Sequence, residues 1–200
     1  ALLMAVAACD APAGEAAVTP VACAAGSVTA QGSSAQAAAV NAWIRDYQVS
    51  CPGATIAYAS VGSGAGLRSF AAGTGDFAGT DALLSAADQP RADARCRGAA
   101  IHLPLLAGPI ALAYNIPGVD ALRLAPSTVA RILTGRITTW NDPQIARDNP
   151  GAALPATPIR VVHRADGTGT TDNLTRYLSA TAPADWRFGS SSTWPAPGGT

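Results

Sequence analysis

Residues 54–72 read Ala54-Thr55-Ile56-Ala57-Tyr58-Ala59-Ser60-Val61-Gly62-Ser63-Gly64-Ala65-Gly66-Leu67-Arg68-Ser69-Phe70-Ala71-Ala72. Residues 54–61 have the character of a strand. Thr55, Ile56, Tyr58 and Val61 favour a pleated backbone, and Pro52-Gly53 and Gly62 close the run at either end. Gly64–Ala72 then reads as a helix with Leu67 and Phe70, three apart, facing inward. A strand that passes through a glycine-rich turn into a helix is the building unit of a layered α/β sheet.

The same alternation runs outward in both directions. Upstream, Ser27–Ala30 is a short strand and Gly32-Ser33-Ser34 a turn. Ala35–Val49 is a helix, with Val40, Trp43, Ile44 and Tyr47 on one stripe and Ser34 as its N-cap. Downstream, Asp76–Asp81 is a short strand and turn, and Ser85–Cys96 a helix despite Pro90. Ala100–Leu106 and Ile110–Tyr114 are apolar runs expected as strands on either side of Ala107-Gly108-Pro109. Ser127 is expected to cap a helix through Leu133 that Gly135 stops. Ile159–His163 is expected as a strand and Thr168–Leu178 as a helix.

The chain has 200 residues, 48% of them apolar and only 13% charged, enough to bury a core. Thirteen basic residues balance thirteen acidic ones, so no positive field exists to coat nucleic acid. Every basic residue is Arg, which removes Schiff-base and Walker-type lysine chemistry. No run of apolar residues reaches the roughly 18 needed to span a bilayer.

Residues 1–26 read as a processing segment and tether. The apolar stretch Ala1–Ala8 runs into Ala7-Ala8-Cys9, which has the form of a bacterial lipobox with Cys9 as the lipidated residue. The stretch that follows, rich in Ala, Pro and Gly, looks like a flexible linker. The expectation is a lipid-anchored protein on the outer face of the cell membrane, with the chain truncated at both ends. That leaves Cys23, Cys51 and Cys96. Cys51 and Cys96, each at the end of an expected helix, are the expected disulfide, and Cys23 is left without a partner. No Cys/His spacing points to a metal, and no cofactor is expected.

The chemistry lies in three strand-to-helix turns: Gly32-Ser33-Ser34-Ala35, Gly62-Ser63-Gly64-Ala65-Gly66 and Asp166-Gly167-Thr168-Gly169-Thr170-Thr171. In an open α/β sheet such turns converge at the carboxyl ends of the strands. Helix N-termini offer unpaired amides and partial positive charge, glycine lets the backbone approach closely, and Ser or Thr adds a hydroxyl. Together they make an anion site that needs no lysine. Arg164 can grip a tetrahedral oxyanion, and Asp166 can orient the guanidinium. Asp81 follows Gly79-Thr80. A carboxylate at an anion site is repulsive unless the anion carries a proton. Hydrogen phosphate has one to donate and sulfate has none, so Asp81 at such a site would select between them; on local sequence alone it reads as a turn or N-cap residue.

These motifs, together with Gly108-Pro109-Ile110-Ala111, Tyr114-Asn115 and Ile137-Thr138-Thr139-Trp140-Asn141-Asp142-Pro143, come in an order that resembles a known family. It is that of the phosphate-binding lipoproteins of Pst-type phosphate ABC transporters, in their actinobacterial form. The resemblance covers roughly residues 27–200. It implies a two-lobe periplasmic-binding-protein-like (type II) clamshell, with lobe one over 27–110 and an incomplete lobe two over 111–200. It also implies capture of inorganic phosphate without catalysis and delivery to a membrane permease, and a cysteine in a further segment as the partner of Cys23. Carried over by position, Ser34, Ala35 and Ser63 would donate to phosphate and Asp81 would accept its proton. Arg164 would be the charge partner with Asp166 orienting it, and Thr168, Gly169 and Thr170 would supply the last donors. Two rival readings remain: a phosphatase-like enzyme on the same scaffold, and a binder of another tetrahedral oxyanion.

Overall fold

The computed structural model describes residues 21–199. Cys9 and most of the 1–26 segment lie outside the described residues. Three strands, β1 (Gly26–Gly32), β2 (Ala54–Ser60) and β3 (Phe77–Gly79), form one parallel sheet in the order β2-β1-β3. Helix α1 (Ala37–Ser50) links β1 to β2, and α2 (Ser63–Ala71) links β2 to β3. The register pairs Gly32 with Ser60 on one side and with Gly79 on the other, so all three strands end level. The first connection leaves β1 to one side and the second returns across it. The carboxyl ends of β1 and β3 therefore sit at a switch in strand order, the place where α/β sheets bind ligands.

Four helices follow the sheet in chain order, α3 (Gln89–Cys96), α4 (Pro126–Leu133), α5 (Pro143–Asp148) and α6 (Gly169–Thr181), and with α1 and α2 make six among the described residues. Pro90 is accommodated because it falls in the first turn of α3, where its missing N–H is no loss. The cap of α4 is not Ser127. Asp148, at the end of α5, accepts from the Ala125 amide (2.9 Å) and the Thr128 hydroxyl (2.6 Å), doing from across the packing what a local cap would do. Ser127 instead accepts from Gln144 at 3.1 Å.

The main core joins α4 to α6: Val129, Ala130, Leu178, Ala182 and Trp186 pack with Ala196. Ile132, Ile137 and Ile145 form a second cluster on the other side of α4. A fully buried side chain of the size of Leu178 or Ile145 contributes roughly 1.5–3 kcal/mol.

Three expected strands are absent. Ala100–Leu106, Ile110–Tyr114 and Ile159–His163 carry no strand in the described chain; an antiparallel bridge between Thr139 and Pro158 lies just before the last of them. In the first two segments the apolar residues are largely exposed, with Ile101 76% and Leu103 69%, whereas Ile159 and Val161 of the third pack against the second cluster. A run of apolar residues becomes a strand only beside a backbone ladder, and the three-stranded sheet does not reach these segments.

The disulfide also differs from expectation. Cys23 bonds Cys51, with Cα atoms 5.3 Å apart, and Cys96 is free and exposed. The reason is the return of α1. Its end lies beside the segment leading into β1, and Tyr47 of α1 fixes that segment by accepting from the Ala24 amide (3.0 Å) and donating to the Ala22 carbonyl (3.2 Å). Cys51 is buried at this junction, whereas Cys96 closes a surface helix. Replacing Cys23 by Ser is predicted to lower the unfolding free energy by roughly 3–4 kcal/mol on chain-entropy grounds, with Cys96→Ser within about 0.5 kcal/mol of the parent. Urea unfolding of the two variants checks both values.

Candidate anion site

The three glycine-rich turns and the end of β3 meet at the carboxyl edge of the sheet. β1 ends in Gly32, whose carbonyl accepts from the Val61 (3.0 Å) and Gly62 (2.8 Å) amides, drawing the second turn against the first. The Ser33 amide donates to Gly79 at 2.8 Å and so ties the first turn to β3. The Gly64 amide donates to the Gly167 carbonyl at 3.0 Å, which brings in the third turn from more than a hundred residues away. Gly62 has φ +87°, and a Cβ there would lie 2.6 Å from Asp166 Oδ2, so the turn requires glycine.

Asp81 lies two residues beyond β3, at the centre. Its carboxylate accepts from the Ser33 hydroxyl at 2.6 Å on both oxygens, from Gln36 Nε2 at 3.0 Å and from the Ser63 hydroxyl at 3.3 Å. The first residue of α6 abuts it. A Cβ on Gly169 would come within 2.5 Å of the Asp81 Cβ, so only glycine lets the positive end of this helix start so close to the carboxylate. Asn173 of α6 locks the contact by donating to the carbonyls of Asp81 (2.7 Å) and Gly169 (2.9 Å).

Arg164 stands at the rim. It makes a two-pronged pair with Asp166 (2.7 and 2.6 Å) and donates from Nη1 to the Ser34 hydroxyl at 3.1 Å. The hydrogen bond with Asp166 raises the guanidinium further above its ordinary range, and the same bond lowers the Asp166 carboxyl. Both side chains are nearly half exposed, so the pair orients the guanidinium rather than adding much stability.

The eight expected contact residues are thus brought together, but not all in the expected roles. Ser63 is buried beside Asp81. The Ser34 hydroxyl faces Arg164, and the Ala35 amide donates to the Ser33 hydroxyl at 3.1 Å. Thr168 is the N-cap of α6. Its hydroxyl accepts from the Thr171 amide (3.0 Å) and donates to the Thr171 hydroxyl (2.9 Å), and its own amide donates to Ser192 (2.8 Å), so its donors are committed within the chain. Among the described residues the amides of Ser34, Ser63, Gly169 and Thr170 donate to no protein acceptor and remain available. Ser33, Gln36 and Asn173 also hydrogen-bond Asp81, and the motif reading gave them no part in the site.

Neither histidine touches a candidate nucleophile. His163 sits against the carbonyls of Arg164 (3.0 Å) and Gly198 (3.3 Å) and stacks on Trp194, and His102 accepts from the Leu84 amide at 3.3 Å. Among the described residues no group of His, Cys, Asp or Glu side chains is arranged to hold a metal ion.

A parallel sheet whose glycine-rich turns gather helix N-termini at its carboxyl edge defines a layered α/β protein of the open-sheet class. A family profile described as a PBP superfamily domain matches residues 17–198, and the chain belongs to that superfamily. It is 44% identical over 165 residues to phosphate-binding protein PstS 3 of Mycobacterium leprae and 46% identical over 165 residues to phosphate-binding protein PstS 2 of Mycobacterium tuberculosis. Each alignment covers 82% of this chain and 45% of the relative, so the chain spans under half of their length. Among solved structures, a Clostridium perfringens protein with bound phosphate matches with a TM-score of 0.58 at 21% identity. That match covers 79% of this chain and 58% of the other, and it establishes likeness of fold.

Two outcomes test the site's construction. Thr168→Ala is predicted to destabilise by about 1 kcal/mol through loss of the α6 cap, and Thr168→Ser to restore it. Because Arg164 depresses the Asp166 carboxyl, the pair's contribution is present at neutral pH and disappears as pH falls through the lowered folded-state value. The melting temperature of Asp166→Asn should therefore lie below the parent's at pH 7 and meet it in strong acid.

Proposed function

We propose that the full-length protein captures inorganic phosphate outside the cytoplasmic membrane and hands it to the permease of an ABC transporter, without catalysing a reaction. In this reading residues 27–110 and 111–200 belong to two lobes, and the site lies between them. Supporting contacts cross that boundary, Arg164 to Ser34 and Gly64 to Gly167. Cys9 is proposed as the point of lipid attachment.

The observation that carries the reading is Asp81. A carboxylate among free amides and a guanidinium suits only an anion that brings its own proton. Hydrogen phosphate can donate that proton to Asp81 while its other oxygens accept from the amides of Ser34, Ser63, Gly169 and Thr170 and from Arg164. Ser63, held to Asp81 by a long 3.3 Å bond, is placed to turn its hydroxyl to the same ligand. Sulfate at neutral pH has no proton and meets a repulsive lone pair at Asp81. The named relatives of this chain are phosphate-binding proteins, which agrees with that chemistry.

Calorimetric titration of the full-length, unlipidated protein tests it. One-to-one phosphate binding, unaffected by excess sulfate and without turnover of a phosphomonoester, is expected. Asp81→Asn should narrow the gap between the anions by about ten- to a hundredfold, because an amide can donate to sulfate and a carboxylate cannot. Equal competition by sulfate in the parent protein would sink the assignment.

A further inference from the structure

We infer that Gln36 is a specificity-determining positioning residue, whose side-chain amide, together with the Ser33 hydroxyl, fixes Asp81 as an acceptor-only carboxylate. The inference rests on the phosphate reading above and concerns what makes Asp81 selective rather than whether it is.

Gln36 sits one residue before α1. Its Nε2 donates to the Thr80 carbonyl at 2.7 Å and to Asp81 Oδ1 at 3.0 Å. Both neighbours are pure acceptors. The amide must therefore present its NH2 group, and each of its two hydrogens has one partner. A group that can only donate, aimed at Oδ1, makes that oxygen an acceptor. Ser33 donates to the same carboxylate from the other side at 2.6 Å, while its own oxygen accepts from the Ala35 amide at 3.1 Å.

Ser33 is itself immobilised. It is 1% exposed, its amide donates to Gly79 (2.8 Å), and its carbonyl accepts the Tyr58 hydroxyl (2.8 Å). Burial, then the nearby charge of Asp81, pushes the Tyr58 phenol up to about 12, so it remains a donor throughout the neutral range. The carboxylate is thus oriented by groups from the end of β1 and the entry to α1, with β2 behind them. The long Ser63 bond is the one contact a ligand can exchange.

The consequence is a test in which selectivity and affinity separate. In Gln36→Glu a second carboxylate faces Asp81 and the Thr80 carbonyl. Two carboxylates this close share one proton, and the shared proton turns the acceptor into a donor. Phosphate then loses its acceptor and sulfate gains a donor. Gln36→Leu removes one donor without adding a charge and leaves Oδ1 held by the Ser33 hydroxyl alone. Competition calorimetry with inorganic phosphate and sulfate on folded, full-length variants, with thermal melts as the check on folding, should give a phosphate-to-sulfate affinity ratio at least about tenfold below the parent's in both. Gln36→Glu alone should show a rise in sulfate affinity. A ratio within about twofold of the parent in either folded variant, or equal loss of both anions, overturns the role given to Gln36 while leaving the phosphate reading intact. A parent protein that binds neither anion overturns the phosphate reading and this role with it.

Discussion

The negative charge of Asp81 sits where three helix N-termini converge, and most of the surrounding geometry can be understood as the means of keeping it there. A carboxylate shielded from water is destabilising unless donors satisfy it. Ser33 and Gln36 do so from the β1 side, and Asn173 and the start of α6 hold the backbone from the other. Gly169 is needed because no side chain fits between α6 and Asp81. The level ends of the three strands matter for the same reason. They bring Ser33, Ser63 and Asp81 to one edge although they are 18 to 48 residues apart in sequence.

Arg164 and Asp166 solve a different problem. A free guanidinium at the rim would swing through solvent and, on approaching Asp81, would pair with that carboxylate. Pairing with Asp166 occupies Nε and Nη2 and leaves Nη1 directed at Ser34. The cation is held at the rim, turned toward the first turn.

The three turns were legible in the sequence because their signal is local: glycines and hydroxyls at the junction of an apolar strand and a periodic helix. Asp81 and Arg164 were singled out in the sequence on chemical grounds, although the local sequence around Asp81 reads equally as a turn or N-cap and Arg164 with Asp166 as an ion pair. Ser33 and Gln36 were not, because nothing near them in sequence distinguishes a turn serine from one whose partner lies 48 residues on. The cysteine pairing was misread for a similar reason. Helix ends are visible in sequence, but that the end of α1 returns to the segment before β1, and the end of α3 does not, is decided by tertiary packing. The apolar segments after residue 100 look like strands from composition, yet composition carries no information about whether a neighbouring ladder exists.

The most direct measurement is an amide nitrogen–proton correlation spectrum of the full-length protein, recorded as inorganic phosphate is added. If the turns form one anion site around Asp81, the amides of Ser34, Ser63, Gly169 and Thr170 shift together along a single saturating curve. Shifts confined to one turn, or saturating at different phosphate concentrations in different turns, would contradict the account.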